Sequence, residues 1–363
     1  MRPDTALAVL TIDLAAIVAN WRLLRLKRTS RATGAVVKAD GYGLGARPVA
    51  AALAVAGCRD FFVATSDEAL SLRDTIPDAA LVVLGGLLPG AEQDFAAHGI
   101  TPALGSLAEI DAWSCLARRL ERPLPAFLHF DTGMSRLGLD ARECAVLAQD
   151  HARLEGIEVR YVMSHLASSE VPDDPLNAVQ LDRFIAGRAL LPPAPASLVN
   201  SSGMFLGDAF GFDLARPGCA LYGINPTPGR SNPMRPVASL SAKVLSVRDI
   251  PAGATVGYSA TWTAARPSRI ATAGVGYADG WHRSHSNAGA AYFDGNPVPL
   301  VGRVSMDLTT FDVTDHPAVQ RGSWLEFLGP HRSVDDAARD AGTIGYDVLT
   351  ALGRRYHRVY SPA

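Results

Sequence analysis

Short apolar, β-rich runs recur along residues 34–216 of this 363-residue chain, with amphipathic helical stretches between them. Eight runs can be read: 34–38 (GAVVK), 61–64 (FFVA), 81–84 (LVVL), 102–104 (PAL), 126–130 (AFLHF), 159–163 (VRYVM), 197–200 (SLVN) and 214–216 (LAR). Helical stretches fall at 14–28, 46–56, 67–73, 107–119 and 176–190. Strands alternating with helices at this spacing build a parallel sheet, because each parallel return needs a long crossover. Eight such units in about 220 residues match a closed (β/α)8 barrel. An open doubly wound sheet is the competing architecture, but no GxGxxG follows the first run.

After residue 236 the texture changes. Segments such as SLSAKVLSV, PAGATVGYSATWTA, RIATAGVGYADG and SWLEFLG alternate in polarity, with Gly, Pro and Asp turns between them. That pattern predicts an antiparallel β domain. The expected organisation is a barrel over 11–234 and a mainly β domain over 235–363. Residues 1–10 are expected to join the second domain, since AVLTI at 8–12 is spare once the barrel has eight strands. Ser333 and Thr343 are expected to cap two short helices, with Gly353 near the end of the second.

Apolar residues make up 48% and charged residues 19%, enough for a well-buried core and against disorder. A formal charge of −2 provides no basic field for nucleic acid. The four cysteines (Cys58, Cys115, Cys144, Cys219) show no CxxC spacing, so neither a metal site nor a disulfide framework is expected. No apolar run reaches the length of a membrane span and the N-terminus lacks a secretory pattern, so a cytoplasmic protein is expected.

Lysine occurs only at 27, 38 and 243. Lys38 closes the first run and a glycine-rich turn follows. In a parallel barrel, functional groups gather at the C-terminal ends of strands. There, burial and nearby cations disfavour the ammonium and free an amine for an imine with an aldehyde. The spacing alone leaves a second reading open, a strand-end lysine that snorkels to water.

Nine segments, in order, decide between them. VVKADGYGLG, HFDTGMSRLGL, MSHLAS, VNSSG, ARPGCALYG, VGYSATWTA, GVGYADGW, VGRVSMD and GRRYHRVY run through nearly the whole chain. Together they resemble the alanine racemase family of pyridoxal-phosphate barrel enzymes. The resemblance implies pyridoxal 5′-phosphate on Lys38 and racemisation by two-base proton transfer at Cα of the substrate aldimine. Lys38 would serve one face and Tyr258 the other. In the family that tyrosine comes from a partner subunit, which implies a homodimer with shared sites. Taken alone, Tyr258 reads as an ordinary strand aromatic.

The same resemblance implies further roles. Arg216 would face the cofactor's ring nitrogen and keep it unprotonated; without the motif it reads as a partner of Asp213. Ser201, Gly218, Cys219 and the hydroxyls of Tyr42 and Tyr360 would surround the phosphate. His165 would pack beside the ring. Arg136 would serve the substrate carboxylate, Met306 would contribute from the partner, and Tyr277 would narrow the entrance. Asp279 and Asp307 would orient these neighbours. The sequence departs from the common family pattern at His129, where many members carry a carbamylated lysine that holds the arginine. Gly41 and Leu44 depart in the cofactor motif. A racemase of serine or of broader range is the alternative, followed by a barrel-type decarboxylase, which Arg216 disfavours. A non-catalytic cofactor carrier would need neither Tyr258 nor the β domain.

Overall fold

The computed structural model describes residues 3–27 and 29–362; Arg28, the last residue of the first helical stretch, lies outside them. Strand β1 (Ala8–Asp13) leads into α1 (Leu14–Leu26), and the Asp13 carboxylate caps that helix by accepting from Ala16 N–H at 2.8 Å. Next come β2 (Ala32–Thr33) and β3 (Ala35–Val36), two halves of one barrel strand broken at Gly34. A Cβ on Gly34 would meet the Asp60 carbonyl and the Phe62 ring at 2.8 Å, so the approach to the neighbouring strand requires glycine.

A single turn, α2 (Lys38–Tyr42), precedes α3 (Ala46–Val55). Strands β4 (Asp60–Val63), β5 (Ala80–Val83), β6 (Ile100–Leu104), β7 (Leu124–His129), β8 (Ile157–Met163) and β9 (Ala196–Ser197) then follow. Between them lie α4 (Ser66–Arg73), α5 (Glu92–Ala97), α6 (Leu107–Arg119), α7 (Ala141–Gln149) and α8 (Pro175–Ala189). Strands β3 to β9 form a parallel sheet in sequence order, and β10 (Leu214–Ala215) pairs with β2 in parallel. Backbone bonds carry the ladder across the remaining gaps. Asp213 N–H donates to Ala196 O and Arg216 N–H to Val199 O, while Gly34 N–H donates to Ala215 O and Val36 N–H to Pro217 O, all within 3.0 Å. The sheet thereby closes into the expected (β/α)8 barrel. Strands β4, β5 and β6 are largely apolar because helices cover the outer face, and Phe61, Phe62, Leu81 and Leu104 are fully buried, whereas β8 alternates and exposes Glu158 and Arg160.

The second sheet is built on the long strand β11 (Ala238–Ile250), and β12 (Thr255–Val256) and β13 (Trp262–Thr263) form a small hairpin beyond it. Then come β14 (Ser268–Ala273), β15 (Ala290–Phe293), β16 (Asn296–Pro299), β17 (Thr309–Asp312), β18 (Trp324–Leu328), α9 (Val334–Ala341), α10 (Gly345–Ala351) and β19 (His357–Ser361). The sheet order is β16-β15-β18-β11-β1-β19, with β14 joining β11 to β17. Strand β1 pairs antiparallel with β11 and parallel with β19, so the chain's first strand lies in this sheet.

Ser333 caps α9 in a reciprocal capping box with Asp336. Thr343 does not cap α10. Ile344 occupies that position, and the Thr343 hydroxyl donates instead to Asp347 at 2.8 Å. Among the described residues no helix is long and apolar enough to cross a membrane.

Candidate active site

Lys38 lies just past β3, at the C-terminal end of the barrel, and lines a cavity of about 380 Å³ with Arg136, His165, Ser201 and Arg216. The turn after it is left-handed. Ala39, Asp40, Gly41 and Tyr42 have φ of 53°, 52°, 64° and 55°. Each non-glycine residue in that region costs roughly 1–2 kcal/mol, so the turn persists only because its surroundings hold it. Gly41 N–H donates to Val37 O at 2.9 Å, Gly45 N–H to Asp40 O at 2.7 Å, and Ala46 N–H to the Asp40 carboxylate at 2.8 Å. Burial lowers the Lys38 pKa and Arg136 lowers it further, while Glu68 works against both. The net effect is a reduced proton affinity of the amine.

Arg216 is buried at 3% exposure. Its guanidinium donates to Ser197 Oγ, to Ser164 O at 2.5 Å and to Leu198 O at 3.5 Å. All three acceptors are neutral. Asp213, the carboxylate its sequence position suggested, pairs instead with Arg31 at 3.5 Å and accepts from Ala196 N–H. Burial lowers the Arg216 pKa to about 10, which still leaves it a cation at neutral pH. The enclosure of His165, together with Arg216, Arg136 and Lys38, drives that imidazole down to about 3. It therefore stands neutral beside the cations. Gln180 holds its backbone by donating to His165 O at 2.9 Å.

At the far wall, Ser201 Oγ accepts from Gly218 N–H at 2.9 Å and Ala220 N–H at 3.2 Å. Tyr42 stacks on Tyr222 at 4.5 Å, and Tyr222 is fixed by donating to Val36 O. A Cβ on Gly218 would run into the Tyr42 hydroxyl, so glycine is required there too. Cys219 lines the cavity, and Tyr346 from α10 donates to its Sγ at 2.9 Å. Hydroxyls and backbone N–H groups converging in this way suit an oxyanion. Tyr360 is not brought to this wall. Its hydroxyl donates to Leu44 O at 3.1 Å, behind the loop that follows Lys38. Tyr346, missed in the sequence, occupies the place expected of it.

Arg136 rides on the loop after β7. Asp131 shapes that loop by accepting from the N–H groups of Gly133, Met134 and Ser135 at 2.9–3.1 Å. His129 stands behind it, buried and driven to about 4 by burial and by Arg216 and Arg136. A neutral imidazole thus stands at the position where the resemblance led to a carbamylated lysine, and the Asp131 turn fixes the three residues that precede the arginine.

Tyr258, Tyr277 and Met306 do not line the cavity; they are 69%, 42% and 54% exposed. They lie on linked loops. Tyr277 N–H donates to Ser305 O at 3.0 Å and Ala278 N–H to Met306 O at 2.9 Å, while Arg303 donates to Ser259 at 3.1 Å. Arg355 bridges Asp279 at 3.1 Å and Asp307 at 2.8 Å, tying the Tyr277 and Met306 loops together. A larger cavity of about 880 Å³, beside the segments entering β2 and β10, is lined by Arg22, Arg25 and Arg31 but by no lysine, histidine or cysteine.

A lysine amine and a buried cation at the top of a closed barrel define an enzyme of the lysine–imine class. The chain matches the family models for the alanine racemase N-terminal domain over residues 12–226 and C-terminal domain over 237–360. It is 55% identical over 350 residues to an alanine racemase of Acidiphilium cryptum, covering 96% of this chain and 98% of that one. It is 50% identical to an alanine racemase of Brucella abortus, covering 97% and 93%. The structure resembles alanine racemase from Bartonella henselae with covalently bound pyridoxal phosphate, with a TM-score of 0.95, 44% identity, and coverage of 98% and 100%. The biosynthetic alanine racemase from Pseudomonas aeruginosa follows with a TM-score of 0.90, 37% identity, and coverage of 99% and 100%. The chain belongs to the alanine racemase family.

Proposed function

We propose that this chain interconverts L-alanine and D-alanine with pyridoxal 5′-phosphate held on Lys38. The residues present fit that group. A buried guanidinium with only neutral partners is an unusual cost unless a further acceptor meets it, and Arg216 is such a guanidinium. The ring nitrogen of the bound cofactor would supply that acceptor. Ser201, the backbone at Gly218 and Cys219, Tyr42 and Tyr346 form the phosphate end, and His165 flanks the ring. Bound there, the cofactor draws electrons from an amino acid and acidifies its Cα–H.

The chain's own residues do the rest. Lys38, its proton affinity reduced by burial, takes or returns the Cα proton on one face. Tyr258 does so on the other. Its exposure, with that of Tyr277 and Met306, supports a homodimer in which each subunit completes its partner's cavity. Arg136 receives the substrate carboxylate, and Tyr277 limits side-chain size. Arg216, a buried cation, would disfavour a proton on the ring nitrogen of the bound cofactor and so keep the chemistry at proton exchange. No Asp or Glu lines the cavity, which counts against a decarboxylase with a carboxylate at that nitrogen. A barrel over 11–234 and a β domain over 235–363, joined by residues 1–10, is the proposed division, in a cytoplasmic protein.

The observation that carries this reading is Arg216, buried without a counter-ion in the cavity that holds Lys38. Purified protein is expected to show a visible absorbance band that Lys38→Ala abolishes. It is also expected to racemise alanine faster than serine, arginine or lysine when the four are assayed side by side. Optically stable L-alanine in the presence of the loaded enzyme refutes the proposal.

A further inference from the structure

We propose that Glu68 is a positioning residue for Lys38, clamping the left-handed turn after the lysine. The inference deepens the functional reading above and rests on it. Glu68 sits in the first turn of α4, outside the cavity wall. Its Oε1 accepts from Ala39 N–H at 2.5 Å, and its Oε2 accepts from Ala64 N–H at 2.7 Å. One carboxylate therefore joins the end of β4 to the first residue after Lys38.

The local sequence makes this arrangement informative. Thr65-Ser66-Asp67-Glu68 is a capping-box pattern, and Thr65 does cap α4 by accepting from Glu68 N–H at 3.3 Å. In that motif the glutamate ordinarily returns to the N–H of its own capping residue. Here it reaches one residue further back and across to another element. The turn it grips is the one with φ of 53°, 52°, 64° and 55° over Ala39–Tyr42. A strained segment persists only where its surroundings over-determine it, and the Ala39 N–H is otherwise without an acceptor in this turn.

The charged and titratable groups acting on Lys38 are few. Arg136 opposes its protonation, Glu68 favours it, and His165 is neutral. Removing the Glu68 charge leaves the amine with cationic influence alone. Its proton affinity then falls, and a base of lower affinity stays deprotonated to lower pH.

Two full-length, cofactor-loaded variants separate the clamp from the charge. Glu68→Leu removes both acceptors. Glu68→Gln retains one carbonyl acceptor but no charge. Hydrogen exchange read on peptides spanning 34–46 and 61–70 is expected to quicken about tenfold at the Ala39 and Ala64 amides in Glu68→Leu, and less in Glu68→Gln. In Glu68→Gln, the acid limb of kcat from D-alanine is expected about half a pH unit lower, with KM unchanged. Unchanged exchange and an unmoved acid limb in an active Glu68→Gln variant overturn the clamp. Quickened exchange in a protein whose wild type never racemises alanine overturns the functional reading instead.

Discussion

At the scale of single residues, the cavity concentrates positive charge without a carboxylate on its wall. Lys38, Arg136 and Arg216 share it, and the two nearby imidazoles are driven neutral, His165 to about 3 and His129 to about 4. Such a site is matched to a ligand with anionic oxygens at more than one end. The anion cradle gives a sharp test. Tyr346→Phe removes a hydroxyl from the cavity and is expected to weaken cofactor retention about tenfold, the worth of one good hydrogen bond. Tyr360→Phe removes only the bond to Leu44 O, costing about 1 kcal/mol of stability and leaving retention unchanged. Dialysis followed by absorbance distinguishes them, and the reverse ranking would restore Tyr360 to the phosphate. His285 contributes to the pH dependence of folding, alongside His165 and His129. It is fully buried, stacks on Trp281 at 4.2 Å, and has no hydrogen-bond partner at either ring nitrogen. Burial, with Arg332 and His282, lowers it to about 3. The unfolded imidazole takes up a proton near pH 6.5. Below that pH the unfolded state binds more protons, so stability falls progressively toward pH 3. His285→Phe is expected to flatten that fall by about 1 kcal/mol per pH unit, measured by urea unfolding at pH 6.5 and pH 4.5. Equal slopes in the two proteins refute it.

At the scale of elements, legibility followed the strength of local signals. Ser333 reads as a cap because an acidic residue follows three positions later, and the reciprocal bonds form. Ser333→Ala is expected to cost about 1 kcal/mol in thermal melts and to leave the racemisation rate unaltered, since α9 contributes no residue to the cavity wall; a large rate loss would tie α9 to the site. Thr343 failed as a cap because Asp347 offered its hydroxyl a charged acceptor. Helices α5 and α7 escaped notice since each buries a single side chain, Phe95 or Leu147, too little to print a stripe. In α7 the Asp140–Glu143 capping box was a usable signal. The first run reads over 34–38, whereas the strand there covers only Ala35–Val36, Gly34 separates it from β2, and the lysine begins a turn. No pattern of polarity announces a left-handed turn, because it depends on tertiary acceptors such as Asp40 and Glu68. Ser259 and Ala260, beside Tyr258, share that backbone region with φ of 60° and 47°, so both proposed proton carriers adjoin strained loops.

At the scale of the whole molecule, most of the barrel residues that the motifs singled out come together. Lys38, Arg136, His165, Ser201, Arg216, Gly218 and Cys219 line one cavity although up to 181 positions separate them, from 38 to 219. Tyr346 and Thr350 were not legible, because they reach the cavity only through the way α10 folds back over the barrel. The β-domain residues Tyr258, Tyr277 and Met306 form a second, exposed group, and the proposed homodimer would bring the two groups together. Mixing inactive variants tests this without a structure of the dimer. In a dimer of one Lys38→Ala subunit and one Tyr258→Phe subunit, one cavity has both lesions. The other has an intact Lys38 from one subunit and an intact Tyr258 from its partner. Random reassortment makes half the dimers hybrid, each with one working site of two, so activity is expected to return to about a quarter of the wild-type value. If Tyr258 instead served its own subunit, every site would carry one lesion and mixing would restore nothing.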